Sequence, residues 1–319
     1  VRTILLFPLA CAACVGAAPP AGTPTAPNRI VQRYDADTVV GSKFAVPDAW
    51  DEIVIGPGAT VRGSFLIPDT RAKPLLIRGA DRETSRLVGM GDLDRNTATD
   101  PNVRDRSGVM SFSKARVTVS TLTSLDPDKF HILARGPLTV EHVTMRETRG
   151  EATTDGVGGG DGTIVRDVLI DSFDDALKVY SGGMLFEDVT IVHNRNGAPI
   201  QFGWGAEKGD ATIRNLTVIA NSPARYNQGV FARAGQREGT GRLATDITIE
   251  GFRLVVPDGM ARPPLFTFGR RNGRVSDAKV TVTGLCSGNP KPFATRAEID
   301  AKTTRLNDSL AELLTPDCR

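Results

Sequence analysis

"TIVRDVLIDSFDDALKVYSGGMLFEDVTIVH" (163–193) states one phrase twice. "TIVRDVLI" (163–170) and "MLFEDVTI" (184–191) are both short, β-branched and alternating, and each carries an Asp just before its central apolar residue. The phrase recurs outward as "LTVEHVTM" (138–145), "ATIRNLTVI" (211–219), "ATDITIEGF" (244–252) and "VSDAKVTVTG" (275–284). "ARVTVSTL", with Val117, adds an earlier turn. With Val143, Val168, Val189, Leu216, Ile247 and Ala278 taken as equivalent, the steps are 25, 21, 27, 31 and 31 residues. A step of that length, holding two or three short strands, predicts an all-β parallel β-helix. Coils would stack about 4.8 Å apart, with alternate side chains filling the interior. A β-sandwich is the structural alternative. It would use Asp161-Gly162, Asn196-Gly197 and Asn272-Gly273 as hairpin turns.

Working outward, residues 28–290 read as the β-helix domain. "DEIVIGPGATVRGSFLI" and "KPLLIRGA" supply its first coils, and the polar stretch 91–108 is a loop able to overhang a groove. Residues 291–319 read as a C-terminal cap. Within it 295–314 is expected to be helical, because Ile299, Leu306, Leu310 and Leu313 fall near one face. Residues 1–17 have the pattern of an export signal, with Arg2 ahead of a short apolar run. Cys11 or Cys14 would be the lipidated residue if the leader is of the lipoprotein type; plain cleavage near Ala17 or Ala18 is the alternative. Residues 18–27 are a Pro/Ala-rich tether. Export would permit a Cys286–Cys318 disulfide, and two free thiols are the other reading.

The 319 residues carry 39 basic and 37 acidic side chains, well mixed, so no basic footprint for nucleic acid is present. The expected location is the periplasm, the medium or the cell envelope, with membrane contact only through a lipid anchor. The expected state is a monomer.

One stretch gathers charge of one sign. Asp155 follows a Thr pair, and Asp174–Asp175 follow 19 residues later, about one coil on. Adjacent residues in a strand face opposite ways, so Asp174 and Asp175 can share a site only at a bend, and "SFDDALKVY" provides one. Carboxylates crowded into one cleft raise each other's pKa. Glycosidic cleavage needs one protonated and one ionised carboxyl group. Turn residues on solvated faces are the plainer reading of any single Asp. Lys178 and Tyr180 share a face on the following strand; Lys178 would bond sugar hydroxyls or balance the carboxylates, or be an ordinary surface lysine. Gln201 and Trp204 lie about one coil further on. Trp204 is a platform for a sugar ring or a core residue at a corner. Arg233 is a weaker candidate another coil along. Cysteine and histidine are too scattered for a metal site.

"TTDG", "DDALKVYSGG" and "NGAPIQFGWG", in this order and spacing, resemble the dextranase and isopullulanase family, glycoside hydrolase family 49. The resemblance covers residues 150–210 well and the rest weakly. It implies a right-handed, single-stranded parallel β-helix that hydrolyses α-glucan linkages with inversion, without metal or organic cofactor. By motif match it implies that Asp174 is the general acid and that Asp155 and Asp175 hold or activate water. The family's enzymes are larger, with an N-terminal β-sandwich domain that this chain has no room for.

The function expected is therefore an inverting hydrolase of a dextran-like polysaccharide. A polygalacturonase-like pectin hydrolase is the nearest alternative, although "GWG" (203–205) replaces that family's Gly-His-Gly signature. A non-catalytic polysaccharide-binding β-helix would place Asp155 more than about 12 Å from Asp174, beyond the span of an acid–base pair. A lyase or epimerase on the same scaffold would need a uronic acid substrate.

Overall fold

A computed structural model describes residues 28–91, 106–150, 154–202, 208–233, 244–268, 278–286 and 304–306. Every ladder among these residues is parallel, and together they join 21 strands into one continuous sheet wound into a solenoid. No hairpin pairs any of them, so the sandwich alternative fails. The Gly of Asp161-Gly162 and the Gly of Asn196-Gly197 both turn the chain with positive φ, between walls of the coil rather than within a hairpin.

Each central coil contributes one long strand and one short strand. The long strands are Val117–Leu125, Leu138–Arg146, Ile164–Ser172, Met184–His193, Lys208–Ala220 and Ala244–Val255. The short ones form a second wall: Phe130–Ala134, Asp155–Gly158, Leu177–Val179, Ile200–Phe202, Phe231–Arg233 and Phe266–Phe268.

The recurring phrase has a backbone cause. Thr121, His142, Asp167, Asp188, Asn215 and Gly251 stack in register along the long strands, and all six have positive φ. One left-handed residue shifts the in–out alternation by one position, so Val140 and Val143 both face the core although they lie an odd three positions apart. Asp, Asn and Gly tolerate that conformation best, which is why an Asp or Asn precedes the central apolar residue. Neighbouring corner side chains also bond: Asn215 donates to Asp188 (3.0 Å), and His142 lies 2.5 Å from Asp167.

Beside the corner, Val119, Val140, Val165, Phe186, Ile213 and Ile249 form a fully buried column. Burying side chains of this size stabilises by roughly 1.5–3 kcal/mol each. On the solvent side, Arg166, Glu187, Arg214 and Glu250 alternate in charge and pair at 2.8, 3.8 and 2.7 Å. Exposed pairs of this kind add little stability, but a slip of one coil would set like charges together.

Two sequence expectations need correction. Leu216 pairs with Phe252, not Ile247, and Phe252 pairs with Leu285, not Ala278. The last two steps are thus 36 and 33 residues. The corner there is Gly251, which carries no polar side chain to mark it. Of the segment expected to be helical, Thr304–Leu306 is a strand paired with Ala278–Val280. The open edge of the last ladder offers backbone partners there that a helix would leave unused. The remainder of that segment, the leader and tether (1–27), Cys318 and residues 92–105 of the loop lie outside the described residues.

Candidate active site

Asp155 opens its short strand in register with Phe130, and its N–H donates to the Lys129 carbonyl (2.8 Å). Asp174 and Asp175 arrive one rung later. The Asp174 N–H donates to the Thr154 carbonyl (3.0 Å), and the Gly156 N–H donates to the Asp175 carbonyl (2.9 Å). The Gly of the "TDG" motif is a packing requirement. A Cβ on Gly156 would stand 2.2 Å from the Ala176 carbonyl oxygen, so only glycine lets the rungs close.

The bend that turns both members of the Asp pair to one side is held from the next coil. Gly197 (φ +70°) lies flat on the Asp174–Asp175 peptide; a Cβ there would be 2.4 Å from the Asp174 carbonyl carbon and 2.6 Å from the Asp175 nitrogen. His193 holds Gly197 in turn. Its Nε2–H donates to the Gly197 carbonyl (3.2 Å), and its ring packs on Tyr226 with centroids 4.5 Å apart. Burial lowers the His193 pKa to about 4, which keeps it neutral.

Five charged groups then converge. Lys178 Nζ lies 2.7 Å from Asp155 Oδ1 and 2.6 Å from Asp175 Oδ2. Lys129 Nζ lies 2.8 Å from Asp155 Oδ2 and 3.7 Å from Asp174 Oδ2. The Ala198 N–H donates to Asp175 Oδ1 (2.9 Å). One oxygen from each of the three carboxylates lies within 4.8 Å of the others. The separation of more than about 12 Å that a purely binding β-helix would show is therefore absent.

The three are not equivalent. Asp155 and Asp175 are 2% and 4% exposed, whereas the Asp174 side chain keeps 22% of its surface open. Burial alone would raise the Asp155 pKa, but Lys178 and Lys129 overcome it and hold the carboxyl below its ordinary value. Burial, then the charges of Asp155 and Asp175, push Asp174 up to about 7 against the pull of the lysines. Burial also raises Asp175, opposed first by Lys178. Both Asp175 oxygens accept bonds from N–H donors, so neither can present a proton. Near neutrality the proton of the cluster belongs to Asp174. The Lys178 ammonium is likewise held charged: burial opposes its charge, and Asp155 and Asp175 outweigh burial.

Three carboxylates at this spacing resemble a cation site. The Lys178 ammonium already fills the gap between Asp155 and Asp175, and a divalent ion would have to displace it. The residues present therefore suit ammonium counter-ions better than a metal.

Tyr180 and Gln201 meet directly: the Tyr180 hydroxyl donates to Gln201 Oε1 (2.5 Å), and Gln201 lies in register with Lys178. Burial raises the Tyr180 pKa. The column continues from Gln201 to Ala232, so Arg233 belongs to the neighbouring column, opposite Phe202. Trp204 lies outside the described residues. The sequence reading missed Lys129, Gly197 and His193. Placing "DKFHIL" (128–133) under "TTDGVG" (153–158) would have exposed Lys129, one residue before the partner of Asp155.

A parallel β-solenoid with a lysine-clamped carboxylate cluster on its short wall is thus the class that fold and site define. No protein-family model matches the chain. Over 93 residues, 28% of this chain, it is 30% identical to a dextranase of Arthrobacter sp. (strain CB-8). It is 28% identical over 93 residues to a dextranase of Arthrobacter globiformis. The matched stretch spans 14% of the length of each relative.

Proposed function

We propose that this chain is an exported glycoside hydrolase that cuts a neutral, dextran-like polysaccharide with inversion. The observation that carries the reading is the division of labour among the carboxylates. Asp174 is protonated near neutrality and partly open; Asp155 and Asp175 are buried and clamped by lysine. Asp174 donates its proton to the glycosidic oxygen as the C1–O bond breaks. A water at the open rim of the cluster attacks C1, and its proton passes to the Asp155–Asp175 pair. Solvent then returns the proton to Asp174, so atoms and charge balance over one turnover. The distant dextranase similarity and the β-solenoid support the substrate class.

The oxygen spacing, within 4.8 Å, is shorter than the roughly 6.5–9.5 Å between carboxyl groups usual for inversion. It is nearer the roughly 5–5.5 Å of retaining enzymes. Burial favours inversion nonetheless. Covalent attack needs a carboxylate oxygen free to reach C1, and the oxygens of Asp155 and Asp175 are enclosed and face N–H donors. An oxygen so held is kept from C1, which leaves the attack to water.

A pectin-type hydrolase is the second reading, favoured by the convergence of Lys129 and Lys178, a basic pair that an anionic sugar would seek. Both ammonium groups are already matched to carboxylates, so the neutral substrate stands first. Purified protein should be offered dextran, pullulan, pectin and arabinan, with the first-formed anomer followed by NMR. Release of inverted reducing ends from dextran by wild type, with at least a hundredfold loss in D174N, is the expected outcome. Near-normal turnover by D174N would remove Asp174 from the role given to it.

A further inference from the structure

Beyond the charged cluster, the short wall ends in a groove of about 460 Å³ lined by Asp161, Tyr180, Ser181, Gly182, Gly183 and Asp210. That volume is in the range of small-molecule sites. The groove adjoins the cluster: Tyr180 lines it, and the Lys178 ammonium lies 5.9 Å from the centre of the Tyr180 ring.

We propose that this groove is a subsite for a neutral sugar unit of the same polysaccharide, and that its two carboxylates set the preference for uncharged over uronic chains. The proposal rests on the hydrolase reading for its substrate class.

Asp161 and Asp210 come from the coils on either side of the Ser181–Gly183 turn, and one oxygen of each is fixed by backbone. The Gly182 N–H donates to Asp161 Oδ1 (2.7 Å), and the Gly183 N–H donates to Asp210 Oδ2 (2.6 Å). The other oxygen of each has no hydrogen-bond donor among the described residues. Gly182 keeps the space between them open: a Cβ there would stand 3.0 Å from Asp210 Oδ1 and 3.5 Å from Asp161 Oδ1. Two oriented acceptors across a side-chain-free floor suit the hydroxyl pairs of a sugar, and the Tyr180 ring offers an apolar face to its C–H groups. The fully buried Gln201, outside the groove lining, fixes the ring by accepting the Tyr180 proton on Oε1 (2.5 Å). None of the described lining residues is basic, and a uronate would bring a third negative charge to Asp161 and Asp210.

The test is binding, not turnover, so that it reads the subsite even if the hydrolase reading fails. Full-chain D174N is titrated calorimetrically with an isomalto-oligosaccharide and, separately, an oligogalacturonate. G182A fills the gap with a backbone an alanine adopts and keeps both N–H donors; D161N keeps an acceptor for Gly182 and removes the charge. Each, added to D174N, should weaken glucan binding at least about tenfold, the usual worth of a hydrogen bond to a charged group. D161N should also narrow the gap between glucan and galacturonate. Unchanged glucan affinity in either variant overturns the subsite, as does the absence of glucan binding by D174N itself. Wild-type inactivity on dextran with intact, G182A-sensitive binding would instead sink only the hydrolase reading.

Discussion

Gly197→Ala is the most informative single change, because it touches no charged group yet moves two. The alanine Cβ would fall 2.4 Å from the Asp174 carbonyl carbon and 2.7 Å from its Cα. Ordinary Cβ contacts begin near 3.4 Å, so the peptide carrying both carboxyl groups must retreat by about 1 Å (3.4 − 2.4). Its partners at the site, Lys178 and the Ala198 N–H, lie within 2.9 Å and do not follow. Misplacement by about 1 Å costs on the order of a hundredfold in rate. The left-handed backbone adds roughly 1–2 kcal/mol of strain for alanine, a few degrees of Tm. The assay is initial rate on dextran at saturation, with a thermal melt to confirm folding. A folded G197A with wild-type kcat would refute the claim that this glycine sets the position of the acid pair.

The remaining predictions concern charge and packing. The folded-state pKa of Asp174, about 7 against an ordinary 3.8, means that the folded protein holds a proton the unfolded chain releases between those values. Stability from this group is therefore present at acid pH and lost as pH rises from about 4 to about 7, so D174N should melt higher than wild type at pH 8 while losing turnover. For the same reason kcat/KM should fall as pH rises through about 7; a basic limb well above 9 would contradict the assignment of the acid. K178M leaves two buried carboxylates facing each other and should cost about 3–5 kcal/mol at pH 7, partly recovered on acidification; urea denaturation at two pH values checks this. F186A opens the interior column and should cost about 3–5 kcal/mol by the same method, with no change in the pH profile.

What the sequence showed, and what it hid, both follow from the corner residue. Asp167, Asp188 and Asn215 are visible because a left-handed position favours short polar side chains, and they carried the register correctly from Val143 to Leu216. Gly251 answers the same backbone demand without a polar group, so Ile247 was aligned in place of Phe252. The Asp155–Asp174–Asp175 convergence was legible because one coil separates the pair from its partner and "SFDD" must bend. Lys129 was not, because the short-wall strands are only three to five residues long and carry too few positions for a pattern. Gly197 was read as a turn glycine. Its pressure on the Asp174–Asp175 peptide is a contact between coils, and nothing local to "NRNG" records it.

The proposed division of roles among the carboxylates depends most directly on the ionisation of one side chain. Carbon-13 NMR of aspartate-labelled protein, with D174N to assign the signal, would follow the Asp174 carboxyl through its titration. A midpoint near 7 is the result expected from a carboxyl group desolvated beside two ionised neighbours. A midpoint near 4 would mean that no acid is available at neutral pH, and the division of roles among the three carboxylates would fall with it.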